Sequence, residues 1–332
     1  MNLDMSPDGK FIVFDLLGDI YRIPPSGGDA ELLIGGIAWT MQPVYSPNGK
    51  YIAFTSDADG GDNIWVMNAD GSEPRAVTKE TFRLLNSPAW SPDSDYLVAR
   101  KHFTAQRSLG AGEVWMYHRN GGSGVMLTER PNDQKDLGEP AFSVDGRYIY
   151  FSQDDTPGKT FHYSKDSLEG IYTIKRYDRE SGDIRVILSG AGGAIRPTPS
   201  PDGKYLAFIK REDFNSVLFL YDLTSGEQTR LYTELDRDMQ ETWAIHGVYP
   251  TMDWSPDSKS MIFWAGGKIM QLDIASRAAK VIPFSVETTK KIQTALRFQQ
   301  DIDDPQFKVK MLRMVQVAPS AKQVVYEALG QL

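Results

Sequence analysis

Short runs in which apolar residues alternate with polar ones recur along the whole chain, and they come in pairs about a nearly constant turn. In the clearest copy, Arg196-Pro197-Thr198-Pro199 leads into Ser200-Pro201-Asp202-Gly203-Lys204, and Tyr205-Leu206-Ala207-Phe208-Ile209 leads out. Pro201 presets φ at the first central turn position, Asp202-Gly203 supplies the tight reversal, and Lys204 marks its solvated exit. Apolar, aromatic-rich flanks about such a turn predict a β-hairpin.

The unit returns as Ser6-Pro7-Asp8-Gly9-Lys10, Ser46-Pro47-Asn48-Gly49-Lys50, Ser91-Pro92-Asp93-Ser94-Asp95, Ser143-Val144-Asp145-Gly146-Arg147, Ser255-Pro256-Asp257-Ser258-Lys259 and, degraded, Ala318-Pro319-Ser320-Ala321-Lys322. The spacing rises from about 40 to about 60 residues, the period of propeller blades with insertions in their loops. Each repeat holds a second hairpin, as in Asn63-Ile64-Trp65-Val66-Met67-Asn68 and Arg75-Ala76-Val77-Thr78 around Ala69-Asp70-Gly71-Ser72. Two hairpins make a four-stranded antiparallel blade, strands A to D. Stacking around an axis buries the faces that one blade alone would expose. The pattern therefore predicts an all-β propeller in a single domain. Six full blades fall at approximately 1–35, 41–78, 87–128, 139–188, 196–232 and 250–284, and the first hairpin of a seventh at 309–332.

The insertions are uneven. Blade three has a long B–C loop at 100–110, and blade four a longer one at 153–170 that contains Phe161-His162-Tyr163. The connection 235–249 is rich in charge, and 288–298 reads either as a short helix or as an extended crossover. At the end, Gly330-Gln331-Leu332 matches the start of a strand C, as in Gly18-Asp19-Ile20. An apolar edge left unpaired there is unfavourable. The expectation is a fragment of a longer protein, with closure by six or by seven blades left open.

Composition narrows the function classes. No apolar run approaches the roughly 20 residues that span a bilayer as a helix. A net charge of −8 argues against a nucleic-acid surface, which needs clustered Lys and Arg. With no cysteine there is neither a disulfide framework nor thiolate chemistry. The four histidines, His102, His118, His162 and His246, stand apart in sequence, without the His-x-His or His-Glu-x-x-His patterns of metallohydrolases. Gly121-Gly122-Ser123-Gly124-Val125 lacks the last glycine of a nucleophile elbow and sits in a hairpin turn. Gly266-Gly267-Lys268 leads no helix, so it is not a phosphate loop. Asp57-Ala58-Asp59-Gly60-Gly61-Asp62 lacks the bidentate Glu of a calcium loop, because Asn68 stands at that position. Asp154-Asp155 and Asp303-Asp304 read as solvated turns. No catalytic residue, metal ligand or cofactor site is assigned to this chain.

The repeats resemble the PD40 repeats of TolB-like β-propellers, whose hallmark is the Ser-Pro-Asp-Gly-Lys turn with aromatic flanks. Ile12-Val13-Phe14-Asp15-Leu16-Leu17-Gly18-Asp19-Ile20-Tyr21, Arg100-Lys101-His102-Phe103-Thr104, Arg196-Pro197-Thr198-Pro199, Gln240-Glu241-Thr242-Trp243-Ala244 and Phe263-Trp264-Ala265-Gly266-Gly267-Lys268-Ile269 are similar to the N-terminal propeller region of large bacterial secreted amidohydrolases. That resemblance implies a signal peptide upstream, a periplasmic or secreted location, and a metal-dependent (β/α)₈ hydrolase domain downstream. None of these lies within the chain.

The blade topology also sorts the loops. The Ser-Pro-Asp-Gly-Lys turns join A to B on one face of the disc, and the B–C loops and D–A connections lie on the other. This second face gathers Arg100, Lys101, His102, Arg107, Glu139, Arg196, Glu241, Trp243 and His246. Loops on a rigid scaffold commonly carry function. The face is expected to recognise a peptide-like or anionic group, or a neighbouring domain; the bland alternative is that Arg and Glu pair to hold the loops. On the first reading, alanine at Arg100 and Arg196 leaves folding intact and abolishes binding. The function expected is a non-catalytic propeller that scaffolds or gates an attached amidohydrolase. The alternatives are a free-standing envelope interaction module, as in TolB, and the propeller of a prolyl-oligopeptidase-like peptidase.

Overall fold

The computed structural model describes all residues except 105–109, 163–164, 243, 301–302, 304 and 307. The chain divides into two compact units, Met1–Lys290 and Lys291–Leu332.

The first unit holds six four-stranded sheets, each ordered A-B-C-D and antiparallel throughout. Blade I comprises Leu3–Met5, Ile12–Leu16, Asp19–Ile23 and Glu31–Ile34; blade II comprises Thr40–Tyr45, Tyr51–Ser56, Asn63–Asn68 and Arg75–Ala76. Blade III comprises Leu84–Trp90, Tyr96–Thr104, Gly110–His118 and Gly121–Met126; blade IV comprises Leu137–Phe142, Tyr148–Asp154, Tyr172–Asp178 and Ile184–Leu188. Blade V comprises Ile195–Pro199, Tyr205–Glu212, Asn215–Asp222 and Gln228–Tyr232; blade VI comprises Asp253–Trp254, Ser260–Ala265, Lys268–Asp273 and Ala279–Ile282. Among the described residues the only helical piece is a 3₁₀ turn at Ser167–Glu169, in the blade IV insertion.

The period of two along each B strand explains the ring, because successive side chains point to opposite faces of a sheet. Val13 packs toward blade II with Ile52 and Phe54, whereas Ile12 and Phe14 pack toward blade VI with Ile262 and Ile269. Ala53 faces Leu85 and Leu97 of blade III, and Val98 faces Ile149 and Phe151 of blade IV. Tyr150 meets Leu206 and Phe208 of blade V, and Ile209 meets Met261 and Phe263 of blade VI. Every seam thus has its own apolar cluster, including the seam between the last blade and the first. Six blades close the ring.

That closing seam carries a further tie. Phe284–Ser285 runs parallel to Gly28–Asp29, with Gly28 N donating to Pro283 O (2.9 Å) and Ala30 N to Ser285 O (2.8 Å). Phe284 also meets Phe14 edge-on, with ring centroids 5.2 Å apart. Gly27 is required here, since a Cβ on it would lie 2.0 Å from Pro283 O.

The recurring turns lock in the same way in each blade. Ser200 Oγ donates to Asp202 Oδ1 (2.6 Å), Lys204 N donates to the same oxygen (3.1 Å), and Tyr205 N donates to Ser200 Oγ (3.0 Å). The fourth turn residue is left-handed, which glycine adopts freely. Where Ser94 and Ser258 replace glycine, with φ of 63° and 59°, each hydroxyl accepts a backbone N–H from the turn of the preceding blade, Asn48 and Asp202 respectively.

The second unit contains the hairpin Arg313–Val317 with Val324–Glu327 around the degraded turn, where Ala321 takes the left-handed position. Met314, Val317 and Val324 are exposed. Segment 288–298, for which helix and crossover were both open, contains neither helix nor strand.

Replacing Ile262, fully buried at the closing seam, with Ala is expected to destabilise the ring by about 2–5 kcal/mol, read from denaturant unfolding. A loss under about 1 kcal/mol would show that this seam does not hold the fold closed.

Candidate functional site

The site begins with a backbone irregularity repeated on the inner strands. Gln42, Ser87, Glu139 and Arg196 have φ of 55–56°, each precedes a proline, and each lies at a register break between strands A and B. A bulge there takes the residue out of the ladder, and side chains of the preceding blade accept the freed N–H at three of the four. Asp15 Oδ2 accepts from Gln42 N (2.8 Å), Gln42 Oε1 from Ser87 N (2.8 Å), and Glu139 Oε2 from Arg196 N (2.8 Å). At the closing seam Thr251 Oγ1 accepts from Leu3 N (2.9 Å), and Asn2 Oδ1 from Thr251 N (3.0 Å). A polar girdle therefore runs around the axis inside the apolar seams.

One connection crosses that girdle. Segment 235–249 leaves blade V and enters blade VI, yet it is fastened to blades on the far side of the ring. Ile245 O accepts from Asn86 Nδ2 (3.0 Å) and Arg100 Nη1 (2.8 Å), both of blade III. His246 O accepts from Gln42 Nε2 (2.7 Å), and the His246 ring meets Asp62 at 2.8 Å, both of blade II. Glu139 Oε1 of blade IV accepts from Val248 N (2.7 Å) and Tyr249 N (3.1 Å), and Arg196 Nη2 of blade V donates to Tyr249 O. A segment that joins V to VI and touches II and III must pass over the axis. It straps the loop-face end of the ring. Gly247 sits against the Arg196–Glu139 pair: its φ is +101°, and a Cβ there would lie 2.7 Å from Arg196 Nη2.

Several residues singled out in the sequence are thus brought together. Arg100 is buried and donates to Asp136 Oδ1 (2.6 Å from Nη2) and Leu137 O (3.1 Å), and it lies 3.0 Å from His102 Nδ1. Burial first, and then the charge of Arg100, hold His102 neutral, with its pKa lowered to about 3; His246 is near enough to add to the effect. Lys101 pairs with Glu80 (2.5 Å) and lies over the Trp115 ring. Glu139 and Arg196 form a buried ion pair (3.1 Å). Glu241 lies further out, with Arg211 and Arg237, and the Arg211 guanidinium holds its carboxyl down at about 2. Arg107 and Trp243 fall outside the described residues. The cations of this face are matched by carboxylates. Alanine at Arg100 or Arg196 is consequently expected to cost folding rather than leave it intact.

Other residues were missed. Arg211 grips Asp238 in a bidentate pair (2.7 and 3.0 Å) and anchors the first half of the strap. Asp154, read as a solvated turn, is buried instead, between Lys165 (2.6 Å) and Lys135 (3.6 Å). The loop at 57–62 binds its own chain: Asp57 accepts from Trp39 N and Asp59 from Asn63. Among the described residues no three His, Cys, Asp or Glu side chains converge as a metal site, and no helix is long and apolar enough to cross a membrane.

Below the strap lies an axial channel. Its inner part, about 200 Å³, touches Glu139 and Arg196 as well as Asp4 and Asp253. Its outer part, about 400 Å³, reaches the Ser-Pro-Asp-Gly-Lys face between Pro7, Pro47, Pro92, Pro201 and Pro256. Tyr45, Trp90, Phe142 and Asp253 line both parts. Asp4 Oδ2 accepts from Tyr45 N (2.7 Å), Asp253 Oδ2 accepts from Met5 N (2.9 Å), and the two carboxyls are hydrogen-bonded to each other. Burial raises both, Asp253 to about 6 and Asp4 further because the Asp253 charge adds to it. Aligning the repeats shows the oddity: the other inner strands carry Val44, Ala89, Ala141 and Thr198 at this position.

No family model matches the chain. It is 25% identical over 270 residues to the uncharacterized protein Atu1656 of Agrobacterium fabrum, a match spanning 78% of this chain and 82% of that protein. Two peptidases match at 26%: YuxL of Bacillus subtilis, over 52% of this chain and 23% of its own length, and dipeptidyl aminopeptidase BIII of Pseudoxanthomonas mexicana, over 60% and 34%. The chain therefore spans about a third or less of those enzymes. Among solved structures, a putative TolB of Agrobacterium tumefaciens superposes with a TM-score of 0.59 at 22% identity (77% of this chain, 86% of the other). TolB of Acinetobacter baumannii superposes with 0.62 at 14% (84% and 61%). The fold is that of a TolB-like β-propeller.

Two outcomes are expected. Glu139→Ala leaves Arg196 buried without its carboxylate and two strap N–H groups without an acceptor, at about 3–5 kcal/mol in thermal or denaturant unfolding. A folded-state carboxyl raised from 3.8 to about 6 subtracts stability above that pH, and the loss vanishes below the unfolded value. Asp253→Asn should therefore stabilise by on the order of 1–3 kcal/mol near pH 8 and by little near pH 4. Equal effects at both pH values would refute the shared-proton pair.

Proposed function

We propose that this chain is a non-catalytic TolB-like propeller that scaffolds or gates substrate access to an attached metal-dependent amidohydrolase domain, in a periplasmic or secreted protein. The observation that carries the reading is the strap, a single connection fastened to four blades across one end of the axis. It gives the loop face a fixed surface for another domain and makes the axis a restricted path. Arg100, Lys101, His102, Glu139, Arg196, Glu241 and His246, with Arg107 and Trp243 from the same loops, mark the side proposed to meet that domain or to receive a peptide-like or anionic substrate through it. Most of them would act by holding the strap in place. The hydrolytic metal, on this reading, belongs to the attached domain. The amidohydrolase link rests on the likeness of the five stretches quoted above, and the envelope location on the TolB-like fold.

A second reading, the propeller of a serine peptidase, is favoured by the similarity to YuxL and dipeptidyl aminopeptidase BIII. A third, a free-standing interaction module, is favoured by the match over most of Atu1656.

The deciding experiment compares this chain with the whole product of its gene for zinc content, hydrolysis of amide and ester panels, and labelling by a fluorophosphonate. Zinc-dependent hydrolysis by the whole product alone supports the first reading. Fluorophosphonate labelling selects the peptidase, and an inert whole product selects the interaction module. Turnover by this chain alone overturns the non-catalytic assignment.

A further inference from the structure

The axial channel has a chemistry of its own, independent of whether a hydrolase is attached. We propose that the channel, entered from the Ser-Pro-Asp-Gly-Lys face, is a binding site for a primary organic ammonium ion, held by the Asp4–Asp253 carboxyl pair against the aromatic wall of Tyr45, Trp90 and Phe142.

Three observations support it. First, the two carboxyls come from the inner strands of blades I and VI, at a position that is uncharged in the other four blades, and both line the cavity. Second, no cation balances them. The other titratable or charged groups on the wall are Tyr45 from blade II, Glu139 from blade IV and Arg196 from blade V, and the last two are paired with each other. Third, Tyr45 is more than nine-tenths buried on that wall, and its hydroxyl has no hydrogen-bond partner among the described residues. A primary ammonium has three N–H donors, which match two carboxylates and a phenol oxygen, and its charge favours the face of an aromatic ring. Calcium fits less well, because it takes six to eight oxygen ligands and this wall is mainly aromatic and proline.

The balance of charge is simple. The empty pair shares one proton, since two carboxyls this close do not both ionise easily. An incoming R–NH₃⁺ takes that proton's place between the oxygens, and the proton leaves to solvent. No covalent bond forms or breaks. Binding must therefore weaken as the pH falls through the range in which the pair holds its protons.

The test is titration calorimetry of this chain with n-butylammonium chloride near pH 5 and near pH 8. Parallel titrations use calcium chloride and tetramethylammonium chloride, which lacks N–H donors. Saturable binding is expected near pH 8, weaker by about tenfold or more near pH 5. Near neutral pH, repeating it in two buffers of different protonation enthalpy should show release of close to one proton. Asp253→Asn should weaken binding at least about tenfold while melting no lower than the unsubstituted chain. Should that variant not fold, the proton release of the unsubstituted chain decides alone. The proposal is overturned by no saturable binding, by equal affinity at both pH values, by no proton release, or by tighter binding of calcium or tetramethylammonium.

Discussion

A four-stranded sheet with apolar side chains on both faces has to be covered twice, and everything else in the first unit follows from that requirement. Strand B of each blade sends alternate residues to opposite neighbours, as Ile12 and Phe14 against Val13 show. Such a sheet cannot end a stack without leaving a face in water, so the stack bends into a ring and covers its last face with its first. Burial of this kind is non-directional and tolerates changes of side chain. The turns and insertions can thus vary while the seams persist.

The apolar seams do not extend to the axis, where the inner strands converge and backbone groups would be left unpaired. There the ring depends on directional bonds. The left-handed residues before proline present N–H groups that Asp15, Gln42 and Glu139 accept from the preceding blade. Buried acceptors and donors must find partners, and the strap draws on the same side chains. Glu139 serves both the girdle and the strap, which explains why a carboxylate is kept buried at that point. The axis is thereby closed at one end and left open, acidic and aromatic at the other.

The two ends divide the functional question. On the loop face, cations are spent on internal carboxylates, so that face offers shape and rigidity more than free charge. On the turn face, the unpaired charge is negative and sits inside a cavity. The acidic pair also lies at the seam where blade VI meets blade I, beside the Phe284–Ser285 tie. Occupancy of the channel and the integrity of ring closure are therefore linked through the same two side chains.

The sequence by itself determined the blades. Period-two alternation and the Ser-Pro-Asp-Gly turn are local signals, and each copy reports its own hairpin through bonds spanning five residues or fewer, such as Ser200 with Tyr205. It also pointed to Arg100, Glu139, Arg196 and His246, because charged residues at the ends of inner strands break an apolar pattern. It did not say that these residues meet one strap, since Arg100 and Ile245 are 145 positions apart. Nor did it distinguish Asp4 and Asp253 from ordinary polar positions, although aligning the repeats sets them apart. Their meeting depends on the ring closing with six blades, which brings the first inner strand beside the last. Asp154 was misjudged for a related reason: a two-residue acidic pattern looks solvated until Lys135 and Lys165 fold over it. Tertiary structure decided what lies across the axis, because charge pairing and cavity walls there are made by residues that only closure of the ring brings into contact.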